Sequence, residues 1–93
     1  MIAKLFRVAG ILEEITPANG LTFTLEEMQR HVGGYVQVVE LHNGNIMVFD
    51  EEGKLKGYDM NFSATFIARG NRAIYPSDYI AGNAIICKSE MFE

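Results

Sequence analysis

The apolar and polar positions of this chain change period several times, and each change predicts an element. Residues 2–8 alternate loosely, with Ile2, Leu5 and Val8 apolar against Lys4 and Arg7, which predicts a first strand ending before Gly10. Ile11 to Ile15 reads as its hairpin partner, with Glu13 and Glu14 outward, and is broken by Pro17 and Asn19-Gly20. The period then lengthens. Leu25, Met28 and Val32 recur at helical spacing, with Glu26, Glu27 and Arg30 expected toward water. Thr24 and Glu27 have the spacing of a capping box, Phe23 and Met28 that of a hydrophobic staple, and Gly33 follows as a stop.

Strand character returns at Tyr35 to Leu41, which alternates and is rich in β-branched residues. Asn43-Gly44 suits a type I′ hairpin turn, because both residues tolerate positive φ, and Asn45 to Phe49 supplies the returning strand. Asp50 to Gly53 predicts a further turn and Lys54-Leu55-Lys56 a brief third strand of that meander. A second short helix is expected from Asn61, with Asn61 as cap, Phe62, Phe66 and Ile67 on one face, and Gly70 as terminator. Residues 71–78 read as loop, and Asn83 to Lys88 as a central strand, since its run is apolar on both faces. The elements sum to one α+β domain over residues 1–93: a mainly antiparallel sheet of five or six short strands with two short helices packed on one face.

Length and charge narrow the function classes. A chain of 93 residues buries only about 60–65% of its unfolded surface, so core and deep active site compete for the same side chains. Twelve acids against eight bases give a net charge of −4, the wrong sign for nonspecific nucleic-acid binding. A local patch of Lys4, Arg7 and Lys88 is the one exception to examine. A single cysteine, Cys87, rules out an internal disulfide and suits a reducing compartment. No apolar run approaches the roughly 20 residues of a membrane span, and the N-terminus lacks a signal-peptide core, so a cytoplasmic protein is expected.

The ordered segments Leu25-Glu26-Glu27-Met28-Gln29, Val32-Gly33-Gly34-Tyr35, Phe49 to Gly57, Asn61 and Ile80-Ala81-Gly82-Asn83-Ala84 resemble the family catalogued as domain of unknown function 3846. The resemblance runs over roughly residues 4–88. It implies a small protein of phages, plasmids and the bacteria that carry them, with no activity assigned. The one departure is the segment between Arg69 and Tyr79, longer here and carrying Pro76.

Candidate chemistry is sparse. Gly33-Gly34 could expose N–H groups to a phosphate, but it follows a helix, at the carbonyl end, and serves more simply as a helix stop. His31, His42 and Cys87 match no metal-ligand spacing. No nucleophile–base pair is visible, so a non-enzymatic protein without cofactor or metal is expected. Glu51, Glu52 and Lys54 could form a binding tip on a solvated turn. Tyr35, Tyr75 and Tyr79, with Arg72, offer rings and a cation suited to contact surfaces. Tyr35, Glu52, Lys54, Arg72, Tyr75 and Tyr79 are therefore the candidate binding residues. Two readings follow: a protein-binding accessory protein, with a host or defence component or a second copy as partner, or a binder of a nucleotide-like small molecule between subunits of a homodimer.

Overall fold

The fold is described by a computed structural model over residues 2–92. Strand β1 (Ala3–Phe6) turns back through residues 7–11 into β2 (Leu12–Ile15). Helix α1 (Leu25–Val32) follows, then β3 (Val36–Glu40), β4 (Asn45–Asp50), α2 (Phe62–Gly70) and β5 (Ala84–Lys88). All pairings are antiparallel, in the order β2-β1-β5-β4-β3. The last strand is thus central, as its two-sided apolar pattern requires, and β2 and β3 are the edges.

The α+β class and the five-stranded antiparallel sheet agree with the sequence reading, but the expectation that both helices pack on one face does not hold. Ile46 and Val48 of β4 and Ile85 and Cys87 of β5 share a core cluster with Met28 and Val32 of α1. Met47 and Phe49, which alternate with them, and Ala84 pack instead with Ala64 and Ala68 of α2. Because successive side chains of a strand point to opposite faces, the two helices cover opposite faces of the sheet. A central strand apolar on both sides needs a cover on each.

The start of α1 is built as its residues dictate. Thr24 accepts from the Glu27 N–H at 3.2 Å, while the Glu27 carboxylate accepts from the Thr24 N–H at 3.0 Å. Phe23 and Met28 are fully buried together in the same cluster. Two side chains depart from the expected helix faces. Leu25 is exposed, and Glu27 is buried, because its second oxygen also accepts the Ala18 N–H at 2.9 Å and ties the preceding loop to the helix.

At the β3–β4 hairpin, Asn43 and Gly44 carry φ of 62° and 75°, as predicted, and the Asn45 N–H bonds back to the His42 carbonyl. The third meander strand at Lys54–Lys56 is absent; those residues lie in consecutive turns. The cause is Asp50. Its carboxylate accepts the Glu52 N–H at 2.8 Å and the Lys56 ammonium at 2.8 Å, which folds the segment onto itself instead of extending it.

Helix α2 begins where Asn61 caps it, through the Ala64 N–H at 3.0 Å. Of the face shared by Phe62, Phe66 and Ile67, only Ile67 packs against the core. Ala64, Thr65 and Ala68 meet the sheet, whereas Phe62 and Phe66 are 74% and 82% exposed.

Candidate functional site

The six candidate residues do not assemble into one site; they fall into three places. Tyr35 and Glu52 line a cleft of about 580 Å³ with Glu26, Gln29, Arg30 and Lys56, at the C-terminal end of α1. Lys54 and Tyr79 line a hollow of about 90 Å³ over β4, where the Lys54 ammonium sits 4.6 Å from the Tyr79 ring centre and pairs with Asp78. That hollow has room for a few waters only, at about 30 Å³ each. Arg72 and Tyr75 line a third cleft of about 640 Å³, with Arg69, Ile74, Pro76 and, from β3, Gln37 and Val39.

The segment from Asn71 to Ile80 is both plug and display. Ile74 packs against the α2-side cluster and Ile80 is buried, while Tyr75 stands 80% exposed. Arg69 holds the return of this segment by donating from Nε and Nη2 to the Asp78 carbonyl, at 3.0 and 2.8 Å. Arg72 has φ of 57°, a left-handed conformation uncommon for a side-chain-bearing residue, and among the described residues its guanidinium has no hydrogen-bond or ion-pair partner.

The motif residues that carried the resemblance converge on one structural junction. Asp50, buried at the end of β4, holds Lys56, whose ammonium also reaches the Gly33 carbonyl at the end of α1 at 3.3 Å. Burial pushes the Asp50 carboxyl up, but the bonds from Lys56 and the Glu52 N–H outweigh it and hold the group below the ordinary carboxylate range. A Cβ at Gly34 would collide with the Lys56 ammonium and stand 2.9 Å from the Asp50 carboxylate. A Cβ at Gly82, where φ is 86°, would fall 2.6 Å from the Tyr58 ring. These glycines are small because side chains lie against them. Gly33-Gly34 therefore closes the helix and admits Lys56, with no phosphate needed to explain it. Every buried side-chain nitrogen and oxygen among the described residues has a partner.

The remaining candidates also resolve into packing. Arg7 pairs with Glu13, and Lys88 donates to the Asn43 carbonyl at 3.1 Å, so two of the three patch cations are engaged elsewhere. His31 lies edge-on to Phe23, with ring centres 6.5 Å apart, and burial with the nearby Arg30 and Arg7 charges lowers its pKa. Among the described residues no three His, Cys, Asp or Glu side chains form a group that could hold a metal ion, and no helix is long and apolar enough to cross a membrane.

What the sequence reading missed is the outer face of α2. Phe62 and Phe66 lie one turn apart in solvent, with exposed Arg69 in the last turn. The signal was present, since Ala64 and Ala68 also share a helical stripe, but size favoured the phenylalanines as core. Large apolar side chains are commonly inside, so two on one exposed helix face run against the usual distribution.

Searches of the curated proteins and of the solved structures find no match to this chain. The model of a protein family, described as domain of unknown function (DUF3846), matches residues 7–92. With nearly its whole length matched, the chain belongs to that family.

Proposed function

We propose that this protein works by binding another protein, and that the outer face of α2 is the contact. The carrying observation is the pair Phe62 and Phe66, 74% and 82% exposed on one helical turn. Aromatic anchors on a helix, spaced i and i+4, are a recurring way to enter an apolar groove on a partner. The rigid three-layer body behind them keeps the ordering cost of binding low. The absence of a nucleophile–base pair from the sequence favours binding over catalysis. The setting that the family resemblance implies, phages, plasmids and their bacteria, makes a cytoplasmic host or defence component the first partner to test.

A second reading has its own observation. Arg72, unpaired among the described residues, and the exposed ring of Tyr75 share the cleft of about 640 Å³ with Arg69. A cation and a free ring suit the phosphate and the base of a nucleotide-like ligand. Tyr79, under Lys54, takes no part in it.

One experiment with two arms separates these readings. Wild type and Phe62→Ser/Phe66→Ser are used as bait in lysate of a carrier bacterium, and both are melted against a nucleotide panel. The protein-binding reading expects a reproducible partner whose affinity falls roughly 30-fold or more, the equivalent of losing about 2 kcal/mol at a hot spot. Capture that survives the double substitution, or no reproducible capture at all, overturns it. The ligand reading expects a stabilisation of about 2.7 kcal/mol at a hundredfold excess over Kd, and fails if no nucleotide shifts the melt.

A further inference from the structure

Strand β3 leaves one side of its backbone unpaired. It is an edge of the sheet, paired only with β4. Two bonds at its ends fix which way its backbone points. The Glu51 N–H reaches the Tyr35 carbonyl at 2.8 Å, and the Leu41 N–H reaches the Asn45 carbonyl at 2.8 Å. Hydrogen-bonded pairs alternate along an antiparallel ladder, so Tyr35, Gln37, Val39 and Leu41 bond toward β4. The N–H and C=O groups of Val36, Val38 and Glu40 therefore point out of the sheet. Among the described residues no other backbone group bonds to them.

The two edges are not equivalent. Strand β2 is four residues long and carries Glu13 and Glu14 side by side. Antiparallel self-pairing of β2 over its full length puts Glu13 opposite Glu14 of the other copy, and like charges placed so are a standard device against edge association. Strand β3 has five residues, no proline or lysine, and one charge, Glu40, at its end. Val38 is 42% exposed on the α1 side, so that helix does not cover the edge.

We propose that β3 pairs antiparallel with β3 of a second copy, about a two-fold axis through Val38, to make one continuous sheet. In that register Val38 faces its own symmetry mate, and Val36 faces Glu40 of the partner subunit. These are the residues whose backbone groups point outward, so each facing pair exchanges both N–H···O=C bonds. No like charges meet: Glu40 lies opposite an apolar valine. Gln37 falls opposite the partner's Val39, and both residues line the Arg72–Tyr75 cleft in each copy. The dimer thus sets the two clefts side by side across the axis. This inference rests on the strand edge and is independent of the α2 contact.

The test uses the whole chain. Light scattering at high micromolar concentration is expected to give twice the monomer mass of 10.4 kDa. Val38→Lys and Val38→Glu are each expected to give 10.4 kDa alone with near-unchanged melting, and their mixture to recover the dimer mass. In the wild type, hydrogen exchange at the Val36, Val38 and Glu40 amides is expected to slow as concentration rises. A wild type that stays monomeric overturns the proposal. So does a dimer that survives either charge, or exchange at those amides that ignores concentration.

Discussion

Asn61 does more than any other single residue to join distant parts of the chain. Its Oδ1 caps α2, and its Nδ2 donates to the Phe6 carbonyl at 2.9 Å and the Gly82 carbonyl at 3.0 Å. Its own N–H bonds to the Ile80 carbonyl at 2.8 Å, and the residue is 1% exposed. The side chain thus ties the end of β1 to the turn before β5 and to the start of α2. Asn61→Ala removes a cap worth about 1 kcal/mol and strands two carbonyl acceptors at about 1–3 kcal/mol each if they stay dry. A loss of about 3 kcal/mol or more is expected while both acceptors stay dry, which for a domain of this size lowers Tm by at least roughly 12 °C. A denaturant melt showing less than about 1 kcal/mol would mean that water replaces the amide.

Among the elements, the turn segment after β4 is held by charge more than by apolar contact. Asp50, buried, holds Lys56 at 2.8 Å, and Lys54 pairs with Asp78 across to the later loop. The carboxyls of Asp50, Asp78 and Glu27 are all held below their ordinary range, Asp78 chiefly by Lys54 and Glu27 by the N–H groups of Thr24 and Ala18. Between the folded and unfolded pKa values the unfolded chain binds more protons. The stabilisation is therefore complete only above about pH 5, where the unfolded carboxyls are ionised, and is lost as pH falls from there through the folded values. Tm is expected to hold level above about pH 5 and to decline below about pH 4. Asp50→Asn should lower Tm at neutral pH and flatten the acid decline, and a profile as steep as wild type would count against this account of the turn.

For the molecule as a whole, the deciding feature is a sheet covered on both sides. The radius of gyration, 12.1 Å, matches the roughly 12 Å of a compact domain of this length. Cys87 reports on that compactness. It lies on central β5, 3% exposed, and burial pushes its thiol up to about 11. At pH 8 the thiolate fraction is then on the order of one in a thousand, and the sulfur is inaccessible besides. A thiol reagent is expected to label Cys87 only as fast as the domain opens, so the rate should rise steeply with denaturant. Labelling at the rate of a free cysteine in native buffer would contradict the buried placement.

The local chemistry of the chain determined its elements. The capping box at Thr24 and Glu27, the positive-φ turn at Asn43-Gly44, the cap at Asn61 and the two-sided apolar run of β5 all act over a few residues, and all were legible. Tertiary structure decided what those rules leave open. The outward face of α2 was set by distance, since Ala64 and Ala68 let the helix approach the sheet more closely than Phe62 and Phe66 would. The opposite placement of the helices followed from the need to cover both sides of β4 and β5. Lys54–Lys56 became turn because the Asp50 carboxylate recruits donors two and six residues ahead, a choice that alternation of side chains cannot register. The candidate residues scattered among three clefts for the same reason: spacing along a loop says which side chains are near in sequence, and packing alone says which share a space.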